Sequence, residues 1–486
     1  MIEKYYSGVI EQIYNRIGKE TRNIVMANYS NDFSIENLEV IRRYQSNEDN
    51  VFFAYSEFSY NTLVGAYEPF LDIICNMHRR FIGGSFDDFQ KECGVYYLHR
   101  QVLNSYYETG ECFREETVLL NEVAYEQRRM TMAIADMLKK LSEVKPLMIV
   151  INRFQMASKS SIETIKYLID NPCANIGIVL GVNAIVKGTD STVEVWDRIV
   201  ESLEDRSAIY YIGSAGPLKN NVKTTNDDEL YITMNFEQSI QEASNIMEFL
   251  DFEQARRGCR IIEHKLKFED AWIDEKSLRR FYMVYARTSV LLGEMSKAIE
   301  LTNEYKALIP ENDSEHYLSL YYFMKGTCYM YQGKLEKAGN SAKSAYDYAV
   351  LAEDDTLIFK AELLSVMIKM SGWYNIFFCV QDIPVSDEII EKLIKHGYRN
   401  HLAHIYIYAY DNSRDVVKQS FYDESLLKHF TKGLELAKEI GNEQLVYDAY
   451  QKTIMLASTS GLNEIAFLYV IRTYEFMKGH GNIYVA

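Results

Sequence analysis

Two patterns of apolar positions divide the chain. In the first half, short unbroken apolar runs recur at Asn23–Ala27, Val51–Tyr55, Leu147–Ile151, Ile176–Val182 and Ala208–Ile212. None alternates apolar with polar residues, and a parallel strand covered on both faces needs such continuity. Between them lie longer stretches with helical periodicity, among them Asn61–Phe81, Arg114–Glu143 and Ser160–Asp170. Strands alternating with helices predict a doubly wound α/β parallel sheet. After about residue 235 the strand pattern stops, and long helical stretches follow, separated by glycines or Asn/Asp turns. The expected organisation is an α/β domain over residues 1–235 and an all-α domain over residues 236–486, joined through the polar run Lys219–Glu229.

The all-α half repeats. Gly293 is followed five residues later by Ala298, Gly333 by Ala338 and Gly461 by Ala466. Gly333 lies 40 residues after Gly293, and Gly372 lies 39 residues after that, with Phe377 where alanine is expected. A glycine ends one helix in the left-handed conformation, and a small residue lets the next helix approach closely. A single such hairpin cannot bury its apolar face, so consecutive hairpins stack into a solenoid. Tyr282, Ala286, Gly293, Ala298 and Pro310, then Tyr322, Gly326, Tyr329, Gly333 and Ala338, stand at the spacing of signature residues. On these residues the stretch 240–480 resembles tetratricopeptide repeats. In a stack of this kind the first helices of the hairpins line one concave face. Tyr285, Lys325 and Glu362 are the candidate protein-binding residues there, with a protein or peptide as the expected partner.

The α/β half carries a loop and a strand end with altered chemistry. A phosphate-binding loop needs GxxxxGK[ST] between strand and helix, with glycines to curl the backbone and lysine to neutralise phosphate. At that place the chain reads Ala27-Asn28-Tyr29-Ser30-Asn31-Asp32-Phe33-Ser34. Ala27 and Asp32 replace the glycines and Phe33 replaces the lysine. Ser34 keeps the hydroxyl and reads most simply as the N-cap of a helix beginning at Ile35. Farther on, Pro146–Leu168 resembles the Walker B segment of the signal-transduction ATPases with numerous domains, with Ala157, Ser160, Ser161, Glu163, Tyr167 and Leu168 in frame. Tyr67–Phe70 is similar to that family's helix opening and Ile176–Asn183 to its following strand.

The resemblance covers about residues 15–235 and implies an AAA-like P-loop domain, but Asn152 and Arg153 stand at the family's two acidic positions. Without the first carboxylate Mg²⁺ loses its anchor; without the second the attacking water loses its activator. The resemblance and its three lost charges together imply a pseudo-ATPase, without catalytic residues and with neither bound ATP nor another cofactor. The competing expectations are a nucleotide-binding or active ATPase switch, and a scaffold whose α/β half only supports the solenoid. Relatives carry an output domain after the repeats. None is recognisable here, so output is expected through a partner or from a longer regulator.

Composition narrows the class. The chain has 486 residues and a net charge of −17, which argues against direct binding to nucleic acid or an anionic membrane. No apolar run reaches the ~18 residues of a membrane span. The seven scattered cysteines include no CxxC, and the first residues lack a signal-peptide pattern, so a cytoplasmic protein with reduced thiols is expected. His396, His401 and His404 are close in sequence, but no carboxylate or cysteine stands at helical spacing from them. They are expected to be polar positions on an amphipathic helix, with no metal bound.

Overall fold

The computed structural model describes residues 2–29, 38–46, 50–59, 63–114, 116, 118, 122–183, 186–189, 193–213, 223–225, 235–268, 273–312, 314–374, 387–409 and 424–480. Asp32, Phe33, Ser34, Phe377 and most of the polar run 219–229 lie outside the described residues.

All five expected strands form one parallel sheet: β1 (Ile24–Tyr29), β2 (Phe52–Glu57), β3 (Leu147–Asn152), β4 (Ile176–Asn183) and, after a short β5 (Val186–Thr189), β6 (Ile209–Ile212). Their order is β2-β3-β4-β1-β6, and β5 pairs separately with β7 (Lys223–Thr225). The continuous apolar runs are explained by burial, since every residue of β3 and β4 is buried. The helices of this half are α1 (Ile2–Arg16), α2 (Glu39–Ser46), α3 (Phe70–Met77), α4 (Phe86–Glu92), α5 (Tyr97–Thr109), α6 (Val123–Val144), α7 (Lys159–Asp170) and α8 (Val193–Asp205). The helix expected over Asn61–Phe81 begins only at Phe70. Pro69 stands at its N-cap, and Tyr67 has a φ of 57°, outside the right-handed region.

One face of the sheet is covered by α1 and α2. Tyr6, Val9, Ile10 and Ile13 of α1 pack on Val25, Ala27 and Tyr29 of β1, Met148 and Val150 of β3, and Val179 of β4. Gly177 and Gly181 make this approach possible. A Cβ on Gly177 would come within 2.9 Å of Ile13, and one on Gly181 would overlap the Tyr6 hydroxyl. Glycine is required there for close packing of helix on strand.

From residue 236 every described element is helical: α9 (Phe236–Glu248), α10 (Phe252–Phe268), α11 (Glu275–Leu291), α12 (Met295–Ala307), α13 (Ser314–Tyr331), α14 (Leu335–Leu351), α15 (Asp355–Tyr374), α16 (Asp387–Lys395), α17 (Arg399–His404, continued by a π-helical turn Ile405–Ala409), α18 (Glu424–Ile440), α19 (Glu443–Thr459) and α20 (Asn463–His480). The expected change of architecture at 235/236 thus falls at the start of α9. Compactness divides the chain elsewhere. One unit comprises residues 1–95, 99–114 and 126–277; the other comprises 96–98, 115–125 and 278–486. The α9–α10 hairpin belongs to the first unit. There Asn245 Oδ1 accepts from the Cys112 amide (2.9 Å), and Gln254 Nε2 donates to the Val64 carbonyl (2.9 Å).

In the second unit neighbouring helices pack in chain order, α12 on α13, α13 on α14, and α14 on α15, with α13 also touching α15. This is the helical-repeat arrangement that the glycine spacing predicts. Gly293, Gly333 and Gly461 have φ of 77°, 70° and 74°. Each is followed by a residue whose amide reaches back to the preceding helix, as Lys334 N does to Tyr329 O (2.9 Å). Ala298 and Ala338 are fully buried, and at Gly326 an added Cβ would lie 3.4 Å from the Ala338 carbonyl. Gly372 departs from the expectation, since it lies inside α15. The turn between α14 and α15 is a different one, made by Glu353 at a φ of 52°, with Asp354 Oδ1 accepting from the Thr356 and Leu357 amides at 3.0 Å. Among the described residues, no helix is long and apolar enough to cross a membrane.

Candidate functional site

The chain leaves β1 toward one edge of the sheet, to β2, and leaves β4 toward the other, to β6. With right-handed crossovers these connections lie on opposite faces. Their carboxyl ends therefore flank the crevice where open α/β sheets bind ligands. The altered nucleotide-site residues gather at this edge. Ala27 is buried under α1, two residues before the end of β1. Asn152 ends β3 on the same face, and its Oδ1 accepts a hydrogen bond from Tyr29 Oη at 2.7 Å. The Tyr6 ring sits against Tyr29, centroids 6.3 Å apart, and burial raises the Tyr6 phenol well above its ordinary pKa. A neutral amide and two neutral phenols thus fill the space beside the strand end. Gln155 Oε1 accepts from the Asn183 amide at 3.3 Å and ties the ends of β3 and β4 together.

Arg153 turns away in a left-handed conformation, φ 54°. Its Nη1 lies 3.1 Å from Glu57 Oε1 at the end of β2 and donates to the Phe58 carbonyl. The Tyr55 hydroxyl donates to the other Glu57 oxygen. The Glu57 carboxylate is therefore engaged by a guanidinium and a phenol.

A second acidic pair has no counterpart in the sequence analysis. Glu68 and Glu242 converge over Gly65, and a Cβ there would lie 3.4 Å and 3.0 Å from their respective oxygens. Burial, with Glu68 and Asp72 nearby, pushes the Glu242 carboxyl up to about 7. Among the described residues, no group of three or more His, Cys, Asp or Glu side chains is placed to hold a metal.

In the second unit the three candidate binding residues lie on α11, α13 and α15. Tyr285 is buried at 3% exposure, with Lys297 Nζ 5.6 Å from its ring centroid. It is part of the packing of its hairpin, against Phe281 of the same helix. Lys325 is half-buried and donates to Tyr321 Oη at 2.9 Å. Glu362 accepts from Lys392 Nζ at 2.7 and 2.8 Å. Each has a partner within the fold.

His401 and His404 have carboxylate partners, from far away in sequence. Glu116 accepts from the amide of Asn400 (3.2 Å) and of His401 (2.5 Å), and lies 2.6 Å from His401 Nδ1. Glu122 lies 2.8 Å from His404 Nε2 and accepts from Asn442 Nδ2 at 3.1 Å and Asn400 Nδ2 at 3.3 Å. All six residues are buried. For Glu122, burial opposes ionisation, but the His404 charge, its hydrogen bond and the two amides outweigh it and lower the carboxyl to about 2. For His404, burial opposes the proton, and Glu122 reverses that, so its pKa is raised. The pair is an ion pair inside the unit. Helix periodicity locates the histidines, but nothing local in sequence points to partners more than 280 residues away.

No protein-family model and no curated protein matches the chain. Among solved structures, a Rap protein complexed with competence and sporulation factor aligns at 12% identity and a TM-score of 0.34, covering 84% of this chain and 98% of that one. A signal transduction ATPase with numerous domains with a tetratricopeptide repeat sensor, from Pyrococcus horikoshii, aligns at 12% identity and a TM-score of 0.43, covering 96% of this chain and 82% of that one.

Proposed function

We propose that the chain is a non-catalytic regulatory protein, in which a pseudo-ATPase module accompanies helical repeats that bind a protein or peptide partner. The observation that carries the reading is the strand end at Asn152. Nucleotide hydrolysis needs an available carboxylate there for Mg²⁺ and another to orient water. Asn152 offers a neutral amide already bonded to Tyr29, and Arg153 brings a positive charge already paired with Glu57. The absence of lysine at Phe33 supports the same reading from sequence. Free cysteines at Cys75, Cys112, Cys259 and Cys328, all buried, fit a reducing compartment such as the cytoplasm.

The test is calorimetric titration of the full chain with ATP, ADP and GTP in the presence of Mg²⁺, alongside a phosphate-release assay. No turnover above that of an Asn152→Ala variant is expected, and no binding up to millimolar nucleotide. Turnover that is abolished by substitution of Asn152, Arg153 or Phe33 would restore the ATPase reading. Tight binding without turnover would make the module a nucleotide sensor instead.

A further inference from the structure

The helix α20 buries one side and leaves the other bare. Ala466 and Thr473 face the unit, and Tyr469 and Phe476 pack around Tyr450 at centroid distances of 5.7 and 5.9 Å. On the opposite side Phe467 and Tyr474 are each 66% exposed, Leu468 45% and Ile471 40%. At about 100° per residue these four share one stripe, roughly 120° wide, with Glu464, Glu475 and Lys478. Single exposed apolar residues are ordinary, but a contiguous apolar stripe marks an interaction surface.

The charges on the stripe indicate what covers it. Ile471 is its midpoint, with Glu464 seven residues before and Lys478 seven residues after. If a second α20 lies antiparallel with its two-fold axis at Ile471, Glu464 meets Lys478 of the second copy, and the reciprocal pair forms on the other side. Leu468 then faces Tyr474, and Phe467 lies along the methylenes of Glu475. A parallel arrangement would set Glu464 on Glu464 and Lys478 on Lys478. The helix carries two acids, Glu464 and Glu475, and two bases, Arg472 and Lys478, so it is neutral on a chain of net charge −17. Like-charge repulsion between copies is therefore small at this helix. We infer that this face of α20 pairs two copies of the chain through an antiparallel, two-fold symmetric helix contact.

Sedimentation velocity of the full chain between 1 and about 100 µM tests this. A reversible monomer–dimer equilibrium is expected. Ile471→Asp, at an exposed position and with its fold checked by circular dichroism, should weaken it at least tenfold. Lys478→Glu alone should also weaken it about tenfold, because Glu464 then meets an acid. The double exchange Glu464→Lys/Lys478→Glu should recover the dimer to within about threefold. A wild-type chain monomeric throughout, as it would be if another protein covers the stripe, overturns the inference. So does a dimer indifferent to Ile471→Asp, or a double exchange that fails to recover what Lys478→Glu lost.

Discussion

Tyr29 and Asn152 stand on strands that are not neighbours, yet their side chains meet, Oη to Oδ1 at 2.7 Å, across β4 between them. They meet because the residue of β4 beneath them is Gly181. A Cβ there would come within 2.7 Å of Asn152 Oδ1 and overlap the Tyr6 hydroxyl. Gly181→Ala is therefore expected to destabilise the chain by about 1–3 kcal/mol, the usual range for overfilling a packed core. Chemical denaturation measures the loss. Tyr6→Phe in the Gly181→Ala background, which removes the nearest obstructing oxygen, should recover part of it. A neutral Gly181→Ala would show that the polar cluster is loosely packed.

The strand end was legible in sequence because a buried parallel strand has no polar alternation, so its first polar residues mark where it emerges. That reasoning places Asn152 and Arg153 correctly at the carboxyl edge, but it gives no sign of Tyr6 or Gly181. Those depend on how α1 lies over the sheet. For a related reason the sequence does not foretell the burial of Tyr285: at the repeat period an aromatic serves equally well as packing or as surface, and only the tertiary fold separates the two.

The buried His404–Glu122 pair sets a pH window. A raised histidine pKa contributes stability that is complete below the unfolded value, near 6.5, and is lost as pH rises through the folded value. A carboxyl lowered to about 2 contributes stability present above its ordinary value near 4.5 and lost as pH falls through the folded one. The pair therefore contributes most between about pH 4.5 and 6.5. His404→Ala leaves Glu122 charged and buried, and should cost about 3–5 kcal/mol at pH 6. The neutral double variant Glu122→Gln/His404→Gln should cost less. Denaturation midpoints from pH 3 to 10 should show the gap between wild type and the double variant narrowing on both sides of that window. A gap independent of pH contradicts the ion pair.

Glu353 takes the left-handed turn conformation that glycine takes at Gly293, Gly333 and Gly461. It is exposed, and its amide still closes the cap to Val350 O at 3.1 Å. A residue with a Cβ pays about 1 kcal/mol in that conformation. Glu353→Gly should therefore raise stability by up to about 1 kcal/mol, and Gly333→Ala should lower it by a similar amount. Thermal or denaturant unfolding of the two variants checks both signs together. Gly372 stands at the repeat distance in sequence but lies inside α15. The turn at Glu353 has no sequence mark of that kind, because hydrogen bonds and the Asp354 cap hold it without glycine.

The second unit is completed by residues far apart in the order of synthesis. Asn442 and Glu122, which share a hydrogen bond, are 320 residues apart. At about 5–20 residues per second, roughly 15–60 s separate the emergence of the acid from that of its amide partner. For most of that interval, until Asn400, His401 and His404 emerge, Glu116 and Glu122 have no histidine or asparagine to receive them and must stay hydrated. A ribosome-bound chain stopped before α17 would leave Glu116 and Glu122 open to water, and their burial would report that α17 has docked.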